Sequence, residues 1–195
     1  MLGYDWPRVH ALVVSFPVAL LTMAVLFELG SLVLKRDGLR RVGFALLLVG
    51  ALAAGAAVLI GLQAEDAIDH GDAIHHLMGE HKTLAYYTLG IFGAVAVWRL
   101  VREAKMGTGE RVAAFALSLA GLGFLVDTGH HGGKMVFEHA AGVPNAALRT
   151  ELEDRAKGHE HGAGEHSPDA GHEDSDHHHD ADDHDHAPGT PPHQD

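Results

Sequence analysis

Residues 42–64 contain no charged side chain. A helix that crosses the hydrocarbon core of a bilayer needs about 20 mostly apolar residues, each adding ~1.5 Å. This run meets that length. Three more approach it. Residues 11–27 are uncharged and extend to 34 if Glu28 is tolerated; residues 83–98 are uncharged and extend to 101 past Arg99. Residues 112–126 are uncharged but must continue through Asp127 to span. In lipid every backbone N–H and C=O must be satisfied within the segment, so such runs are helices. Short connections favour antiparallel neighbours. The expected fold is all-α: a four-helix transmembrane bundle, up-down-up-down, with spans at about 10–34, 42–64, 81–101 and 112–136. Gly50, Ala54 and Gly61 in the second run, and Ala120, Gly121 and Gly123 in the fourth, suit close approach of helices in lipid. Pro17 lies inside the first span and should kink it. That span is too long for the apolar core of a cleaved signal, and no small-residue cleavage site follows it, so it reads as retained.

The chain changes character after this domain, taken as residues 1–143. Residues 144–157 read as a short amphipathic linker helix. The rest, 158–195, holds eleven acidic residues and no Lys or Arg, and so carries nearly all of the net charge of -12. A segment this polar cannot bury enough apolar surface to offset its ordering entropy, and disorder is expected. Cysteine is absent, which excludes disulfides, thiolate metal sites and iron–sulfur clusters. No nucleophile elbow, phosphate loop, dinucleotide fingerprint or H-E-x-x-H motif is present, so an enzyme is disfavoured. Nucleic-acid binding is disfavoured by the lack of a basic patch.

Lys and Arg set the expected orientation. Lys35, Arg36, Arg40 and Arg41 lie between the first two runs, and Arg99, Arg102, Lys105 and Arg111 between the last two. Only Lys82 lies between the second and third, and only Arg8 precedes the first. The first and third loops should face the cytoplasm, with both termini on the other side.

The histidines follow the same division. The eight outside the tail are His10, His70, His75, His76, His81, His130, His131 and His139. All lie at the start of span one, the end of span two, the start of span three or the end of span four. An up-down-up-down bundle brings those four ends to one membrane face, together with Glu65, Asp66, Asp69, Asp72, Glu80, Asp127 and Glu138. Imidazole mixed with carboxylate suits zinc, nickel, copper or iron. Asp127 and His131 are four apart and share a helix face, and an ionisable group as deep as Asp127 marks a functional site by default. His10 and His81 open their spans and can close a site from neighbouring helices, with His139 beyond the fourth span. Asp66, His76 and His130 form a secondary set. The bland alternatives are solvated loop histidines, a helix end satisfied by His130 and His131, and an Asp127 salt-bridged to Lys134.

The tail adds ten histidines, among them His177, His178, His179, His184 and His186, interleaved with Asp and Glu. Such composition binds divalent metals weakly at several sites; otherwise it is a solubilising acidic tail.

Two stretches carry a resemblance. His10-Ala-Leu-Val-Val-Ser15-Phe-Pro17 and Gly132-Gly-Lys-Met-Val-Phe-Glu-His139-Ala-Ala-Gly-Val143 resemble a bacterial family of four-span membrane proteins known as a domain of unknown function. Its members open with H-P-x-x-V-H-F-P, close with G-G-x-L-V-Y-x-H-G-V-G-V, and carry a His at the start of span three, which His81 matches. The resemblance covers roughly residues 9–143. It implies four spans in a bacterial inner membrane and a His-bearing outer face, and relatives occur joined to or near redox proteins. Ala11 stands where the family has Pro, and Ser15 where it has its second His.

Three functions compete. The first is transition-metal binding by the outer His/carboxylate cluster, with the tail as buffer and periplasmic metal-binding or redox proteins as partners. The second is a haem b electron-transfer subunit, with His10 and His81 or His139 as axial ligands. The third is an accessory membrane subunit without cofactor.

Overall fold

A computed structural model describes residues 5–68 and 71–158 of the chain. Each apolar run is helical, the first of them broken at Val14, and most of the helices run past the expected span ends. The first span is α1, Trp6–Val13, followed by α2, Ser15–Leu34. Next come α3, Asp37–Asp66, and α4, Asp72–Arg102, which ends in a 3₁₀ turn at Glu103–Lys105. The fourth span is α5, Thr108–Phe137, and α6, Asn145–Lys157, follows. Four spans are long and apolar enough to cross a membrane. Among the described residues there is no strand.

The helix ends extend because their charges suit them. Asp37, Asp72 and Glu110 occupy first turns, and Arg99 and Arg102 the last turn of α4, each opposing the local end of the helix dipole. Glu110 also accepts a hydrogen bond from the Gly107 N–H at 3.1 Å, satisfying a donor left free at the start of α5. The first span breaks as Pro17 requires. Pro17 has no N–H to offer the Val13 carbonyl, and the helix is interrupted at Val14, one turn earlier.

α2 packs on α3, α3 on α4, α4 on α5, and α5 back on α2. The ring encloses Leu21, Leu47, Phe92 and Val95, all buried. Glycines permit the close approach: a Cβ at Gly50 would stand 2.7 Å from Leu21 Cδ2, and one at Gly121 would stand 3.0 Å from Phe92 Cε2. The opposite faces are apolar and open. Leu52 is 76% exposed, and Val33, Leu59, Val97 and Val126 are exposed with it. A water-soluble monomer rarely shows so continuous an apolar surface; lipid is its solvent.

The bundle has two unlike ends. The arginine end holds the turns between α2 and α3 and between α4 and α5. The histidine end holds the starts of α1 and α4 and the ends of α3 and α5. Here α1 packs on α3 but on neither α4 nor α5. The ring that α2 closes at the arginine end is therefore open along one side at the histidine end.

Beyond α5 the chain turns sharply. The Ala140 N–H donates to the Val136 carbonyl at 3.0 Å and the Ala141 N–H to the Met135 carbonyl at 2.9 Å. Ala140 has φ 53 and Gly142 φ 82, both left-handed, and the bond from the Ala140 N–H to the Val136 carbonyl is that of an αL cap. Gly142 also abuts α1, since a Cβ there would meet Pro7 Cβ at 3.4 Å. An L-residue in the left-handed region costs roughly 1–2 kcal/mol, partly offset by the greater unfolded freedom of glycine. Ala140→Gly should therefore raise stability by about 0.5–1 kcal/mol, read by chemical unfolding in detergent micelles.

Candidate functional site

The Val14 break leaves α1 leaning on α3 and sets His10 over Gly61. A Cβ at Gly61 would lie 2.8 Å from His10 Cε1 and 3.2 Å from Nδ1. The imidazole thus rests in a notch that only glycine provides. The Ala57 carbonyl lies beside the ring, yet not in full hydrogen-bond geometry: His10 Nδ1 is buried without a hydrogen-bond partner. A buried polar atom left unsatisfied is costly.

His81 faces it from α4. Its Nδ1 lies 2.9 Å from the Thr128 carbonyl of α5. A carbonyl only accepts, so Nδ1 carries the proton and Nε2 keeps its lone pair. Gly132, one turn after Thr128, clears the same ring, as a Cβ there would stand 3.3 Å from His81 Cε1. Thr128 is itself fixed by a hydroxyl bond to the Phe124 carbonyl at 2.7 Å. The His10 and His81 ring centroids are 6.4 Å apart and the rings are nearly perpendicular, at 85°.

Both histidines line a cavity of about 420 Å³ on the open side of the ring. Its walls are otherwise largely apolar, including Val14, Ala57, Leu125 and Val136. At its edge Lys82 pairs with Glu65, Nζ to Oε1 at 2.8 Å and to Oε2 at 2.9 Å, tying α4 to α3.

The other histidine-end candidates lie outside this cavity. His131 Nδ1 bonds the Asp127 carbonyl at 2.9 Å. Its Nε2 lies 3.5 Å from Glu80 Oε2, and Glu80 Oε1 lies 3.6 Å from His76 Nδ1. The Asp127 carboxylate approaches His131 at 3.5 Å and is more than half exposed. His130 stacks edge-on to His131, at 6.0 Å. Asp66 and His139 are exposed. Among the described residues, no three His, Asp or Glu side chains are arranged to hold one metal ion. His70 and the tail histidines His177, His178, His179, His184 and His186 lie outside the described residues.

The arginine end holds a cluster that sequence reading did not assemble. Glu28 and Arg99, each 4% exposed, pair at 2.7 Å. Arg99 also binds Glu103 at 2.8 Å and lies over the Phe44 ring, 5.1 Å from its centroid. Glu103 takes Arg40 at 2.8 Å, and the Glu103 carbonyl accepts from Arg40 as well. Arg111 reaches Ser31 Oγ at 2.7 Å and Glu28 at 3.4 Å. The available signal was the position of Glu28 and Arg99 as the charges interrupting two apolar runs at the same end.

Residues 7–145 match the model of a family described as a predicted membrane protein, DUF2231. No curated protein and no solved structure matches the chain.

Proposed function

Since the chain belongs to the DUF2231 family of predicted membrane proteins, a description that names a membrane and no chemistry, we propose from the site itself that it binds haem b between His10 and His81 and serves as a membrane electron-transfer subunit. The observation that carries this reading is the 6.4 Å separation of the two rings across an apolar cavity. Two imidazoles bound on opposite sides of one metal, each at about 2.0–2.1 Å, have centroids about 6–6.5 Å apart. Two histidines alone underfill the coordination of a bare ion, whereas a porphyrin supplies four more nitrogens. The cavity volume falls in the range that encloses a cofactor-sized ligand. The protonated Nδ1 of His81, held by Thr128, leaves Nε2 as the ligand atom and fixes the ring. By the positive-inside rule, the lysines and arginines of the other end support a histidine end, and both termini, outside the cytoplasm of a bacterial inner membrane.

A second reading, a divalent transition-metal ion with the tail as buffer, draws on the ten histidines interleaved with Asp and Glu in residues 158–195. A haemin titration of the purified full chain separates the two. Saturation at one equivalent, with a low-spin spectrum that excess zinc leaves unchanged, supports the haem site. Displacement by zinc, or no spectral change, removes it.

The notch under His10 gives a second check. Gly61→Ala must push the ring aside and should weaken haemin binding about 10-fold, the effect expected of losing a group that positions a ligand. The same titration reads it.

A further inference from the structure

At the arginine end three arginines share two carboxylates. Arg99 and Arg40 both engage Glu103, and Arg99 also holds Glu28. Arg111 is left with the least. Its one carboxylate contact is the long one to Glu28 at 3.4 Å, its short contact is to the neutral Ser31 hydroxyl, and its Nε has no partner. Its side chain is 18% exposed. The cluster therefore carries a surplus positive charge, and that surplus sits on Arg111, between α2 and α5.

The surroundings select the anion. Lys35 caps α2 one turn beyond Ser31, with φ 51 and an exposed side chain. No ion pair is seen for Lys35, Arg36 or Arg41 among the described residues, and against these three cations this turn carries one carboxylate, Asp37. The same end of both helices carries exposed apolar side chains, Val33 and Leu34 of α2 and Val112 of α5. Cations at a helix end bordering a lipid-facing apolar surface fit a ligand with a phosphate and acyl chains, and Arg is well suited to the phosphate. We propose that Arg111, with Lys35, holds the phosphate of an anionic membrane lipid at the α2–α5 seam.

Native mass spectrometry of the delipidated full chain tests this, with phosphatidylglycerol or phosphatidylcholine added and inorganic phosphate as competitor. The wild type should retain one phosphatidylglycerol in preference to phosphatidylcholine. Arg111→Gln and Lys35→Gln should each lower retention about fivefold, the effect of one cation near an anionic headgroup. Arg102→Gln should change nothing, because Arg102 is engaged with Glu110 at 2.9 Å. Lys35 is exposed at a helix end, so its variant carries the test even if Arg111→Gln does not fold. Equal retention by both variants, or equal retention of the two lipids, overturns the proposal. Displacement by millimolar inorganic phosphate overturns the lipid as the source.

Discussion

His81→Ala should abolish the low-spin haem spectrum, and His10→Ala should do the same, while the bundle stays folded. Loss of a residue that merely positions a ligand costs about 10–100-fold in affinity, so loss of the ligand itself should exceed about 100-fold. Neither side chain holds the fold together. His10 Nδ1 has no partner, and the single bond of His81 is to a carbonyl that a neighbouring hydroxyl or water can satisfy. His131→Ala and His139→Ala provide the contrast. His131 lies outside the cavity, engaged with Asp127 and Glu80, and His139 is exposed in the turn beyond α5. Both variants should bind haemin as the wild type does. If His139→Ala lost the spectrum while His10→Ala kept it, the pairing of His10 with His81 would be wrong. The measurement is a haemin titration of each variant, with circular dichroism on the same samples.

The largest effect on stability should come from the other end. Arg99→Ala strips Glu28 of its closest partner, at 2.7 Å, in a position where both are 4% exposed. Removing one member of a buried ion pair typically destabilises by about 3–5 kcal/mol, because the remaining charge stays buried. Glu103 would lose Arg99 as well but keeps Arg40. Adding Glu28→Leu to Arg99→Ala should recover part of the loss, since no uncompensated carboxylate then remains in the bundle. Denaturant unfolding in micelles reads both. If Arg99→Ala unfolded at the wild-type midpoint, the pair would be incidental to the fold.

The four spans were legible because a bilayer leaves a chain little choice: residues 42–64 have no other stable use. The interruption at Val14 was legible from Pro17 for an equally local reason. The length of α4 was not. Asp72 begins it well before the expected start at about residue 81, because a helix leaving the hydrocarbon can continue wherever its charges suit its dipole. At the site, the shared end of the histidines could be read from topology, but helical phase could not. Thr128 faces His81 and Gly132 lies one turn on, so α5 presents Thr128 and Gly132 inward. Asp127, one residue earlier and about 100° around the helix, is carried out to His131 and the surface. The Gly61 notch and the Glu28–Arg99 pair depend on the register between helices far apart in sequence. A single chain records that register only in its packing.

The most direct measurement is a reduced-minus-oxidised absorption spectrum of the full chain purified from membranes, with haem and metals quantified on the same sample. A Soret band with sharp α and β bands on reduction, at about one haem per chain and lost in His81→Ala, is the expected result. A featureless spectrum from protein that also fails to take up added haemin would contradict the haem site at His10 and His81.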